Sequence, residues 1–125
     1  MRGDTPLLGT WRLATYEVWN AAGGIDQPMG PSPAGYAVFD ATGHAFIQLA
    51  RGAGEDTSAV AASFVGYFGR YTMNEAGTEF TVTVEAANAP HYVGSLQVRP
   101  FKIDGDTLVL GIPGQYRATL HRVGV

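Results

Sequence analysis

Seventeen glycines and seven prolines cut this chain of 125 residues into short runs. Between the breaks the runs are rich in Val, Ile, Thr, Tyr and Phe, residues that sit well on a pleated surface, so the chain reads as a succession of β-strands. Eight are predicted: Leu8 to Trp19, Gly35 to Phe39, His44 to Leu49, Gly66 to Met73, Glu79 to Ala86, Ser95 to Ile103, Thr107 to Ile112, and Gln115 to Val123. The links Asp40-Ala41-Thr42-Gly43, Asn74-Glu75-Ala76-Gly77 and Asp104-Gly105-Asp106 are short and turn-forming, so each strand should pair with its neighbour in sequence. Two links are longer. Residues 20–34 have no helical period and read as a loop, a flap over an opening. Residues 51–65 contain Ser58-Ala59-Val60-Ala61-Ala62-Ser63-Phe64, predicted as one short helix or lid between strands three and four.

Eight antiparallel strands in up-and-down order hide their edges by closing on themselves. The predicted fold is therefore all-β: an eight-stranded up-and-down antiparallel barrel, one domain spanning the chain. Such a barrel is either filled by side chains or holds one small ligand, and alternation proposes what points inward. In the first strand Trp11, Leu13, Thr15, Glu17 and Trp19 are assigned to the interior, against Arg12, Ala14, Tyr16 and Val18. In the last, Tyr116, Ala118, Leu120 and Arg122 are assigned inward. Phe80, Val82 and Val84 oppose Thr81, Thr83 and Glu85.

Composition narrows the chemistry. Charged residues make up 15% of the chain, against about 25% in ordinary soluble domains, which points to two-sided burial or an apolar cavity. A net charge of -3 with scattered Arg and Lys offers no basic stripe for phosphates, so nucleic acid is not expected as a partner. Cysteine is absent, which removes disulfides, thiolate metal sites and a cysteine nucleophile. With no basic-then-apolar leader, a cytoplasmic location is expected. No run approaches the roughly 20 apolar residues of a membrane helix, so no membrane partner is expected. An apolar, glycine-rich exterior is compatible with a homodimer. His44, His91 and His121 lie far apart in sequence and form no ligand motif, so no metal is expected. The glycine loops at 21–24 and 51–54 lack both the phosphate-loop lysine and a dinucleotide fingerprint, no G-x-S-x-G elbow is present, and no cofactor is expected.

Gly9-Thr10-Trp11 opens the first strand and is followed by Arg12-Leu13. Further along come Gly66-Tyr67-Phe68-Gly69-Arg70-Tyr71-Thr72, then Val93-Gly94 leading through Gln97-Val98-Arg99 to Phe101, then Gly105-Asp106-x-Leu108-x-Leu110, and Arg122 near the end. Taken in order, these resemble the bacterial and fungal lipocalin-like domain family, small calycin-type barrels, over nearly the whole chain. The resemblance implies that Trp11 plugs the closed end of the barrel while Arg122 lies across it, a structural pair, with Gly9 giving room to turn. It also implies a departure: where relatives often carry a histidine on the fifth strand, this chain has Val82.

The remaining signal is a set of polar and aromatic residues that alternation aims into the barrel: Glu17, Trp19, Tyr36, Tyr67, Tyr71, Gln97, Arg99 and Tyr116. Phe80, Val82 and Phe101 complete the expected lining for a ligand, and Ile103 shares the phase of Phe101. A buried guanidinium needs acceptors, and Glu17 is the expected partner of Arg99. Such a set either fixes strand register or hydrogen-bonds a carbonyl or enol of an otherwise apolar guest. His91, in Ala89-Pro90-His91-Tyr92, is either an exposed loop residue or a proton shuttle at the barrel mouth. Two functions share this pocket. One is binding of a small hydrophobic or aromatic, natural-product-like metabolite. The other is a cofactor-independent cyclase or isomerase, an activity the resemblance also allows, with Glu17, Tyr71, Arg99 and His91 as candidate catalytic groups. A filled barrel serving only as an interaction domain is the third alternative.

Overall fold

A computed structural model describes residues 6–52 and 64–124. Among these residues nine strands form one antiparallel sheet: β1 (Gly9–Trp19), β2 (Ile25–Asp26), β3 (Ala34–Phe39), β4 (His44–Ala50), β5 (Val65–Met73), β6 (Glu79–Ala87), β7 (Leu96–Asp104), β8 (Thr107–Ile112) and β9 (Tyr116–Gly124). Consecutive long strands pair, and β1 pairs with β9, so the eight long strands close into a barrel. Each matches a predicted strand to within one residue at either end. The ninth is an addition: the link after β1 begins as a hairpin whose strand β2 pairs Ile25 with Trp19 and Asp26 with Val18. Asn20 makes that turn, its Oδ1 accepting from the N–H groups of Ala22 and Gly24 at 3.0 Å each. All but the last residue of the predicted lid helix, Ser58 to Phe64, lies outside the described residues. The one helical element described is a single 3₁₀ turn, Pro90–Tyr92, and no described helix is long and apolar enough to cross a membrane.

Up-and-down order sends the strand ends to two opposite poles. At one lie the chain start and the short turns β3–β4, β5–β6 and β7–β8, and this half is solid. Leu7, Trp11, Leu13, Phe39, Phe80, Val82, Leu108 and Leu120 are completely shielded from solvent. Phe39 meets both Tyr71 and Phe80 edge to face with ring centres 5.1 Å apart, and Phe80 meets Phe101 at 5.8 Å. Burying each such ring contributes about 1.5–3 kcal/mol.

The plug of this pole is Trp11. Its indole N–H donates to Leu7 O at 2.9 Å, and the Arg122 guanidinium lies 4.1 Å from the ring centre. Arg122 is fixed in turn by Leu8 O at 2.7 Å and Pro6 O at 3.2 Å, with Asp106 3.4 Å from Nε. Gly9, buried at φ 127°, adopts a backbone conformation closed to side chains that bear a Cβ, and so lets the chain turn from Leu7 into β1 beneath the plug.

Candidate functional site

The opposite half of the barrel is hollow. A cavity of ≈ 270 Å³ is lined by Ile47, Leu49, Val65, Leu110 and Ala118 together with Tyr16, Tyr67, Tyr92, Tyr116 and Arg99. Five aliphatic side chains share the wall with four tyrosines and one arginine, and the side-chain polar groups are four phenols and one guanidinium.

Tyr16 reaches this cavity through a break in alternation. Leu13 faces Leu120 and Thr15 faces Thr119, so Ala14 is an extra residue with no partner on β9, a β-bulge. Beyond it the phase of β1 inverts. Tyr16 now stands opposite the inward Ala118, and Glu17 opposite the outward Arg117. The expected interior position of Glu17 is corrected accordingly: its Oε1 accepts from Arg117 Nε at 2.9 Å and Nη2 at 2.7 Å on the outer wall. The expected Glu17–Arg99 pair does not form. Trp19 turns outward for the same reason, with the Arg117 guanidinium 5.4 Å from its ring centre, and borders a separate hollow of ≈ 220 Å³ beside Pro113 and Gly114. Tyr36 is a second correction. On β3 the inward residues are Ala37 and Phe39, both buried, which leaves Tyr36 on the outside at 48% exposure.

Other expected residues point inward but lie too deep. Tyr71, Phe80, Val82 and Phe101 pack in or against the solid core and are absent from the cavity lining. Alternation gives the face of a strand, and depth along the barrel axis comes from register. His91 sits on the 3₁₀ turn, exposed, its ring edge-on to Tyr92 at 5.0 Å. Its neighbour Tyr92 is the residue that lines the cavity, stacked edge-on against Tyr67 at 5.7 Å. Among the described residues no cluster of three or more His, Asp or Glu side chains is arranged to hold a metal ion.

Arg99 and Gln97 keep the inward phase expected of them, and one is positioned by the other. Ser95 Oγ donates to Tyr92 O, Gln97 Nε2 donates to Ser95 Oγ at 2.8 Å, and Gln97 Oε1 accepts from Arg99 Nη2 at 2.7 Å. This relay ties the guanidinium to the turn that carries Tyr92. Arg99 Nη1 donates to Val98 O at 3.0 Å, a carbonyl left open because the β7–β8 ladder runs only from Asp104 to Phe101. Pro100, next in line, has no N–H to extend it.

Electrostatically the phenols are held neutral. Burial raises Tyr16, Tyr67 and Tyr116 above the ordinary tyrosine range, against the smaller opposing pull of Arg99 on each. Near pH 7 they are hydrogen-bond donors. The Tyr116 hydroxyl is shut off from solvent and has no hydrogen-bond partner among the described residues.

No curated protein matches the chain. An uncharacterized protein from Bacteroides eggerthii, known from its crystal structure, is similar in fold, with a TM-score of 0.55 at 13% identity over 93% of this chain and 98% of that one. The family model of the lipocalin-like domain matches residues 8–119, a span that runs from the turn before the tryptophan plug into the last strand. Closed eight-stranded barrel and family match agree, and the chain belongs to the lipocalin-like domain family.

Proposed function

We propose that this protein takes up one small, largely apolar, aromatic organic molecule in the open half of its barrel. The observation that carries the reading is the ≈ 270 Å³ hollow itself, walled by aliphatic side chains, tyrosines and one guanidinium. A guest carbonyl or enol oxygen accepts from the protonated phenols of Tyr16 and Tyr67, while the rings of Tyr16, Tyr67 and Tyr92 offer faces and edges to an aromatic body. The volume exceeds the roughly 150 Å³ that admits benzene and falls just short of drug-sized pockets of about 300 Å³ and more. It suits a molecule of one or two rings.

The test is a calorimetric titration with 2-acetylnaphthalene, a two-ring ketone. One site per chain is expected, abolished in Ala118→Phe, whose ring enters the hollow, while thermal unfolding of that variant stays cooperative. Absence of binding to the wild type, or unchanged binding in the filled variant, overturns the reading.

A second reading places a cofactor-free cyclisation or isomerisation of a natural-product-like substrate in the same cavity. It draws on Arg99 among neutral phenols, which can stabilise an oxyanion. Binding is preferred because, among the described residues, the cavity lining includes no carboxylate or imidazole to accept a proton. The same proposal takes the protein as a single-domain cytoplasmic carrier with no affinity for nucleic acid, given its net charge of -3 and lack of cysteine. It includes a homodimer, for which the exposed rings of Tyr36, Phe46 and Phe68 offer apolar surface; light scattering after size exclusion checks it.

A further inference from the structure

Among the described residues Arg99 is the one charged residue on the cavity lining. Its guanidinium is half-buried and carries five N–H groups, of which one serves Gln97 Oε1 and one Val98 O, with the Tyr67 hydroxyl also in hydrogen-bonding contact. Both acceptors are neutral. Among the described residues no carboxylate forms an ion pair with it, whereas Arg117 and Arg122 have Glu17 and Asp106. The groups around it, Tyr16, Tyr67 and Tyr116, stay protonated, so none of them supplies the missing negative charge. A partly desolvated cation is costly when left without a counter-charge, and the Gln97–Ser95 relay holds this one in place when it would otherwise swing out to water. We infer that the guest is an acid: an aromatic body with one carboxylate, which enters as the anion and is gripped by Arg99.

The geometry favours a carboxylate over a lone phenolate. A guanidinium presents parallel N–H groups that match two oxygens, and charge-assisted bonds of this kind are roughly twice as strong as neutral ones. The phenol of Tyr67 donates to an oxygen lone pair that the guanidinium leaves free. Gln97 is then a positioning residue, acting on the guest through Arg99.

This inference rests on the cavity reading above and is tested beside it with a matched pair, 2-naphthoate and 2-acetylnaphthalene, which share shape and differ by one charge. The wild type is expected to bind 2-naphthoate at least about tenfold more tightly at pH 7. Arg99→Gln should remove that preference while leaving the ketone bound, and Arg99→Lys should retain part of it, which separates loss of charge from loss of fold. Gln97→Ala should reduce the preference without moving the ketone. Equal affinity for the two probes, or a preference that survives in Arg99→Gln, overturns the inference and leaves the cavity reading standing. Failure of both probes removes the cavity reading, and this inference with it.

Discussion

The Glu17 carboxylate and the Arg117 guanidinium meet at 2.7 Å on the outer wall of the barrel, and that contact leaves Arg99 inside without the acidic partner that plain alternation assigns to it. Half-exposed pairs of this kind contribute about 0–1 kcal/mol. Glu17→Gln is therefore expected to lower stability by no more than about 1 kcal/mol in urea titration and to leave the affinity for 2-naphthoate unchanged. A large loss of affinity would mean that β1 keeps its phase through Ala14.

The plug should be the costliest single site in the chain. Trp11→Ala empties a fully buried position and removes the surface under Arg122, so a loss of about 3–5 kcal/mol is expected. Arg122→Met keeps the bulk and forfeits the cation–ring contact and the two carbonyl bonds, for a smaller loss of roughly 2 kcal/mol or more. Chemical denaturation of the two variants gives the order.

Tyr116→Phe separates stability from binding. It deletes a buried hydroxyl that has no described partner, so the empty protein should gain up to about 1 kcal/mol. The same variant should bind 2-acetylnaphthalene within about threefold of the wild type, because that hydroxyl does not open on the hollow. Thermal melts with and without the ketone report both effects in one experiment.

Alkaline pH should loosen the fold through the cavity tyrosines. Their folded pKa values lie above the unfolded value of about 10 because burial disfavours the phenolate. Below that pH both states are protonated and nothing is lost. As pH rises past it the unfolded chain releases protons that the folded one retains, so stability falls. Melting temperature should decline from about pH 10 upward, and less steeply in Tyr67→Phe.

Strand content, hairpin order and closure were legible because glycine and proline punctuation, turn residues and β-branched runs all agree on them. The phase of β1 was not, since nothing in Leu13-Ala14-Thr15 marks a bulge, and one extra residue moved Tyr16 in and Glu17 and Trp19 out. On β3, Tyr36 and Val38 are as apolar as Ala37 and Phe39, so alternation alone cannot choose a face. Tyr92 follows Pro90 in a link between strands, where period carries no information, and only the 3₁₀ turn brings it over the cavity. Gln97 and Arg99 were readable because they share phase with Phe101 and Ile103 on an unbroken strand.

The central claim is that the half of the barrel away from Trp11 is a hollow that accepts a guest. Amide chemical shifts recorded during titration with 2-acetylnaphthalene test it most directly. The account predicts saturable changes concentrated at Tyr16, Leu49, Tyr67, Ala118 and Tyr116, with Trp11 and Phe39 unmoved. Changes confined to the outer surface around Phe46 and Phe68, or none at saturating ketone, would contradict it.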